Sequence, residues 1–278
     1  MTEEKSIIDL AQGRGPQAPE GAPSSEENTM RPHERAENHK GDKTREMSNI
    51  LNSLLENVQD AGKYIDVELP SRGLVQLRPF NYEDEKVLRS VKKGQNAQNV
   101  LTNLIGRCVK DLDVNELGTG DFTFLLFKLR ELSYGDNYKI TVECEDCGEK
   151  NELEVQLSKL NVNYADENYS KPIKVLLPDS KKTATLRRPK IKDAASMDDL
   201  EKLMNNLWRF VTDIEGHSDR MLIQNFIKKT TVRDVATVRE ALLSEEVGLD
   251  TAVRFLCRAC ESDTSVALPM TADFFTVS

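Results

Sequence analysis

An α+β fold built from an internally duplicated unit, with one metal site shared between the two copies, is the architecture this sequence predicts. Two observations lead there. Two CxxC pairs, Cys144/Cys147 and Cys257/Cys260, each lie between runs with strand-like alternation. The chain also repeats itself: "DFTFLLFKLRELSYGDNYKITVECEDC" lies over "DVATVREALLSEEVGLDTAVRFLCRAC" without a gap. Asp121 and Asp234 each stand 23 residues before the first cysteine of their pair, and Gly135 falls on Gly248. Upstream, "IDVELPSRGLVQLRPFNYEDE" is similar to "IKVLLPDSKKTATLRRPKIKD", with one residue inserted so that Leu77-Arg78-Pro79 meets Leu186-Arg187-Arg188-Pro189. Self-similarity at this period means one structural unit used twice. Each unit reads as a strand pair, helices and a zinc-knuckle hairpin, and the two knuckles together form one zinc-ribbon-like site.

Four segments follow in order. Residues 1–45 are rich in Gly, Pro, Ser, Glu and Lys and nearly empty of large apolar side chains, so they read as a disordered arm. His33 and His39 lie in it and are discounted as ligands. Residues 46–63 place Met47, Ile50, Leu51, Leu54, Leu55 and Val58 at helical spacing, the mark of an amphipathic helix. The first copy, 64–160, opens with strands near 64–69 and 74–79 around the turn Pro70-Ser71-Arg72-Gly73. A helix then starts at "NYEDE", where Asn81 can cap and the acidic residues suit the positive end of the helix dipole. Helices over 97–112 and 121–133 lead to the first knuckle hairpin. The second copy, 161–278, has strands near 173–177 and 183–188, helices near 196–213, 218–229 and 234–244, and the second hairpin.

The dithiols carry the chemistry. In "YKITVECEDCGEKNELEVQL" the tip Cys144-Glu145-Asp146-Cys147-Gly148 has the form of a zinc knuckle, where a Gly after the second thiol lets the backbone turn tightly. One knuckle supplies two ligands and structural zinc takes four, so Cys144, Cys147, Cys257 and Cys260 make one tetrahedral set. A thioredoxin-type redox pair is the rival reading, but it needs a helix after the dithiol, and here Gly148 and a strand follow. The fifth thiol, Cys108, shares helical spacing with Leu101, Leu104 and Ile105 and reads as a small core residue.

Composition narrows the function. A net charge of −9 argues against nucleic acid as the main partner, because phosphate contacts need a basic footprint. The best local candidate for one is Lys181, Lys182, Arg187, Arg188, Lys190 and Lys192, which keeps a zinc-ribbon adaptor in nucleic-acid transactions open as the alternative. No apolar run is long enough to span a membrane, and the start lacks the form of a signal peptide. GxGxxG and P-loop patterns are absent, and His217 is the one histidine left beyond the arm, so the sequence points to no enzyme and no small-molecule substrate.

"LPSRGLVQLRPFNYEDEKVL", "LRELSYGDNYKITVECEDCG" and "CRAC" leading to a terminal "ADFF" resemble the T-even-type baseplate hub protein family of contractile-tailed phages. The resemblance covers roughly residues 60–278. It implies a non-enzymatic component or assembly factor of the baseplate hub, with other hub proteins as partners. Such a protein is made in the host bacterial cytoplasm and then carried in the virion tail baseplate or released after assembly. The second copy departs from the pattern, with "LPDSKK" in place of "LPSRG". In "ADFF", adjacent Phe274 and Phe275 point in different directions in either a strand or a helix. One ring is therefore expected inside and the other free for a partner.

Overall fold

The computed structural model describes residues 32–55, 62–71, 73–89, 97–244, 247–270 and 272–275. It is mixed α and β, and its contacts divide it into two units, residues 1–55 and 56–278.

In the first unit one helix, α1, runs over Pro32–Leu54. It starts 14 residues before the expected boundary at 46, so the arm assigned to 1–45 contributes helix from 32 onward. The physical reason is legible afterwards: Pro32 stands at the first helical position, where its fixed φ helps and its missing N–H costs nothing. Glu, Ala, Lys and Arg then outnumber the single Gly41. Residues 1–31 lie outside the described residues, as does Val58 of the expected stripe. Met47, Ile50, Leu51 and Leu54 are exposed.

The second unit opens with β1 (Ile65–Leu69) and β2 (Gly73–Leu77), an antiparallel pair across the Pro70–Gly73 turn. Helix α2 (Tyr82–Arg89) begins as expected at Asn81, whose side chain accepts from the Asp84 N–H at 3.0 Å while Asp84 accepts from the Asn81 N–H at 3.1 Å. Helix α3 (Ala97–Cys108) stops short of the expected 112, because Val109–Lys110 form strand β3 and pair with β2. Helix α4 (Thr119–Tyr134) follows, burying Phe122, Leu125, Leu126 and Leu129 as its 3.6 periodicity demands. Strands β4 (Asn137–Glu143) and β5 (Lys150–Gln156) make the first hairpin. A short strand, β6 (Val162–Asn163), leads out of it.

Strands β7 (Ile173–Leu176) and β8 (Thr183–Leu186) pair like β1 and β2. The helix expected over 196–213 is corrected by the structure. The segment splits into a 3-10 turn at Ile191–Ser196, helix α5 (Leu200–Asn206), a 3-10 turn at Leu207–Arg209, and strand β9 (Val211–Ile214). Val211, Thr212 and Ile214 are β-branched, and pairing β9 to β8 outweighs the helical spacing upstream. Helices α6 (Arg220–Lys229) and α7 (Val232–Leu243) come next, then β10 (Gly248–Leu249), β11 (Ala252–Leu256) and β12 (Asp263–Ala267). The strands form sheets ordered β1-β2-β3 and β7-β8-β9, the hairpins β4-β5 and β11-β12, and the pair β10-β6.

Among the described residues two hydrophobic cores result. One gathers β1–β3, α3, α4 and the first hairpin, and it also takes Ile191, Phe255, Leu268, Phe274 and Phe275 from the second half. The other holds β7–β9 and α5–α7, with Phe210 wholly buried at its centre. The second hairpin and the C-terminal turn thus lie apart from the core of the rest of 161–278. Their junction with the first half is close. A Cβ on Gly120 would sit 2.1 Å from the Val247 carbonyl oxygen, so only glycine fits where α4 meets β10.

Candidate metal centre

Each hairpin delivers its thiols through the same backbone turn. Leaving β4, the Cys144 N–H donates to the Glu149 carbonyl at 2.9 Å and the Gly148 N–H donates back to the Cys144 carbonyl at 2.8 Å. Leaving β11, the Cys257 N–H donates to Ser262 at 2.9 Å and the Glu261 N–H donates to Cys257 at 3.0 Å. The residue after the second thiol takes a left-handed conformation in both, Gly148 at φ 74° and Glu261 at φ 57°. Alternation in β4 turns Tyr138, Ile140 and Val142 into the core and leaves Cys144 buried on the same face.

The four sulfurs converge within 4.8 Å of one another. Cys144 Sγ lies 3.7 Å from Cys260 Sγ, and Cys147 Sγ lies 3.6 Å from Cys257 Sγ. A tetrahedron of thiolates about 2.3 Å from a zinc ion has edges of about 3.8 Å, so these two edges fit that group. Cys144 and Cys257 are buried, Cys147 and Cys260 exposed. Asn151 joins the knuckles from below. It is buried in β5, its amide N–H₂ donates to the Glu149 carbonyl at 3.0 Å and reaches Cys257 Sγ at 3.5 Å, and its carbonyl accepts from the Arg258 N–H at 2.9 Å. Across the tips, the Ser262 hydroxyl donates to the Asp146 carboxylate. Sequence reasoning missed Asn151, yet the signal was there: it shares the inward face with Leu153 and Val155, and a buried amide in an apolar row needs a polar partner.

Electrostatics divide the thiols. The N–H groups of Cys260 and Ala259 favour the Cys257 thiolate and, with the Asn151 amide, overcome burial to draw its pKa down to about 6. The Glu149 N–H also favours ionised Cys147, but the crowding sulfurs of Cys260, Cys257 and Cys144, together with burial, push that thiol up to about 12. Four adjacent sulfurs do not ionise together unless a cation balances them. The residues that can hold such a cation are therefore Cys144, Cys147, Cys257 and Cys260, and four thiolates would leave it no open position for substrate.

The other candidates have structural surroundings. Cys108 is buried with its Sγ 3.9 Å from the Asp84 carboxylate, and burial pushes its thiol up to about 12. His217 closes the turn after β9 by backbone bonds to Ile214. Much of the basic cluster is paired. Arg187 makes a two-point contact with Asp193 at 2.6 and 2.9 Å, Arg188 stacks on the Tyr169 ring at 4.1 Å, and Lys190 and Lys192 both bind Glu116, holding that carboxyl at about 2. Phe274 and Phe275 overturn the expectation of one free ring. Both are buried, Phe274 against Phe127 and Tyr138 at 4.7 and 5.1 Å and Phe275 against Phe80 at 5.7 Å. The two rings do diverge, at an interplanar angle of 86°, but the first half supplies a wall for each. Among the described residues no helix is long and apolar enough to cross a membrane.

Neither a curated protein nor a solved structure matches the chain. A family model does, that of the T4 bacteriophage base plate protein, over residues 61–276, which takes in both sheets, both hairpins and all four clustered cysteines. The chain belongs to the T4 bacteriophage base plate protein family.

Proposed function

We propose that the protein is a non-enzymatic component or assembly factor of the baseplate hub, binding other hub proteins and stiffened by one structural zinc ion on Cys144, Cys147, Cys257 and Cys260. The family match over 61–276 is the observation that carries the baseplate part of this reading. For the metal, the support is the convergence of four sulfurs from hairpins more than a hundred residues apart. Bound there, the ion would supply folding energy and no chemistry. The cysteines would direct their sulfurs at it, Asn151 would fix the angle between the knuckles, and the exposed tips would stay closed through Asp146 and Ser262.

The two halves are read as an internal duplication. Matched hydrogen bonds support it. Asp121 at the start of α4 accepts from the Ser71 N–H at 3.0 Å, and Asp234 near the start of α7 accepts from the Asp179 N–H at 2.8 Å. Arg78 and Arg187 each reach an aspartate six residues on, at 2.6 Å. In that register Arg187 stands for Arg78 and Arg188 for Pro79, and the one inserted residue falls earlier, between the turn at Pro178 and Arg187.

Synthesis would take place in the host cytoplasm, with the tail baseplate as the site of use. Capture of a tagged copy from infected cells, followed by mass spectrometry, tests the hub assignment. Recovery of baseplate hub proteins is the expected result. Recovery of nucleic-acid enzymes without hub proteins would replace it with the adaptor reading. Elemental analysis of the purified protein should give one zinc per chain.

A further inference from the structure

We propose that the four-thiol centre is a staple for both redox states: on oxidation the metal leaves and the sulfurs pair between the hairpins, Cys144 with Cys260 and Cys147 with Cys257. This rests on the zinc reading above and adds a regulation of the same site.

Three observations carry it. Two sulfur contacts, at 3.7 and 3.6 Å, cross from one hairpin to the other. Each of these pairs joins one exposed and one buried sulfur, Cys260 with Cys144 and Cys147 with Cys257. The exposed member meets an oxidant, and the buried member is placed to resolve it. Finally, the hairpins are held in register independently of the metal, by Asn151 to Arg258 near the tips and by the Asp250 N–H donating to the Asn161 carbonyl at 2.8 Å at the far end. Loss of the ion therefore leaves the sulfurs opposite one another.

The chemistry balances with a peroxide as oxidant. The exposed thiolate attacks one oxygen of hydrogen peroxide, the O–O bond breaks, and a sulfenic acid forms while hydroxide leaves and takes a proton to become water. The facing thiolate then attacks that sulfur, the S–S bond forms, the S–O bond breaks, and a second hydroxide leaves as water. Two electrons pass from each sulfur pair to one peroxide. Two peroxides and four protons thus convert four zinc-bound thiolates into two disulfides, four waters and a free zinc ion.

The value of such a device follows from compartments. The host cytoplasm keeps thiols reduced and favours the metal form, whereas a particle outside the cell meets an oxidising medium. A joint between the same two hairpins would persist in both.

The test uses the full chain, reduced and loaded with zinc, titrated with hydrogen peroxide. Zinc release is followed with a chromogenic chelator, disulfides by mass spectrometry and folding by thermal melting. Trypsin cuts after Arg258 and a glutamate-specific protease after Glu145, so all four cysteines fall on separate peptides. Expected are release of one zinc for two peroxides, peptides linked 144 to 260 and 147 to 257, and a cooperative melt that falls by on the order of 10 °C only when reductant and chelator are added together. Pairs 144–147 and 257–260, or sulfinic acids without disulfides, would overturn the proposal. A reduced protein with no zinc would sink the metal reading alone, because the peptide map still decides how the thiols pair.

Discussion

Asp84 in the first half and Asp193 in the second brace the same corner, where the chain leaves a three-stranded sheet, but they do so in unequal surroundings. The Asp84 side chain is wholly buried and takes hydrogen bonds from Arg78, Arg107 and the Asn81 N–H. Asp193 is 15% exposed and has Arg187 and the Lys190 N–H. Burial opposes the charge at both, and the arginines overcome it, so both carboxyls are held below their usual value. The contrast extends to the cores. The first half keeps its own elements and receives the second hairpin and the C-terminal turn, whereas the second half loses these to its neighbour. Geometry shared by two halves therefore does not mean equal stability, and the first half should be the one that depends on contacts arriving from outside it.

Metal removal is the strongest way to break that comparison. Losing the proposed ion leaves the second hairpin held only by hydrogen bonds and core contacts, and loss of a structural metal ranks with the largest single effects, more than about 4 kcal/mol. Chelation should lower the melting temperature by on the order of 10 °C for a body this size. Hydrogen exchange should rise first in β4, β5 and α4, while α6 and α7 stay protected. Uniform loss of protection would mean that the cores do not differ.

Phe274→Ala comes next. It empties a site between Phe127 and Tyr138, and such truncations cost about 3–5 kcal/mol. Phe210→Ala should cost about as much in the other core. Exchange should separate the two, with β4 opening in the first variant and β8 in the second. If Phe274→Ala melts like the wild type, the ring is not the wall of the first core.

Asp84→Asn should cost about 3 kcal/mol, because it leaves two arginines beside a buried neutral group, and Asp193→Asn about 1 kcal/mol, where water reaches the site. The pH dependence has a definite sign. A carboxyl whose folded pKa lies below its unfolded value stabilises above the unfolded pKa, near 3.8, and that contribution is lost as pH falls through the lower folded value. Acid melting curves of Asp84→Asn should therefore be flatter below about pH 4 than those of the wild type. Parallel curves would remove the carboxylate from the account.

Much of the site was legible because its spacing is local. CxxC fixes a knuckle within five residues, and repetition at equal distance from Asp121 and Asp234 relates the two knuckles. What stayed hidden depends on distant partners. β9 exists because β8 lies beside it, and no window around Trp208 contains that fact. The destinations of Phe274 and Phe275 were equally unreadable, since Phe80, Phe127 and Tyr138 are more than a hundred residues away. The start of α1 was missed for the opposite reason, because composition outvoted a local signal, Pro32 at a first turn.

The smallest effect tests the comparison at one residue. Gly148 and Glu261 occupy the same place after the second thiol, both left-handed, at φ 74° and 57°. A side chain in that region brings Cβ against the carbonyl, at roughly 1 kcal/mol or somewhat more. A Cβ on Gly148 would meet only the end of the flexible Glu143 side chain, at 3.7 Å, so Gly148→Ala carries the backbone penalty and no clash. Glu261→Gly removes that penalty, but a glycine also gains freedom in the unfolded chain, which returns part of the benefit. The expected changes are a loss of about 1 kcal/mol for Gly148→Ala and a gain of about 0.5 kcal/mol for Glu261→Gly, a few degrees of melting temperature in opposite directions. The metal should stay at one per chain in both variants, since neither touches a sulfur. Two shifts of the same sign would show that the knuckles do not share a turn, and with it the clearest residue-level match between the halves would fail.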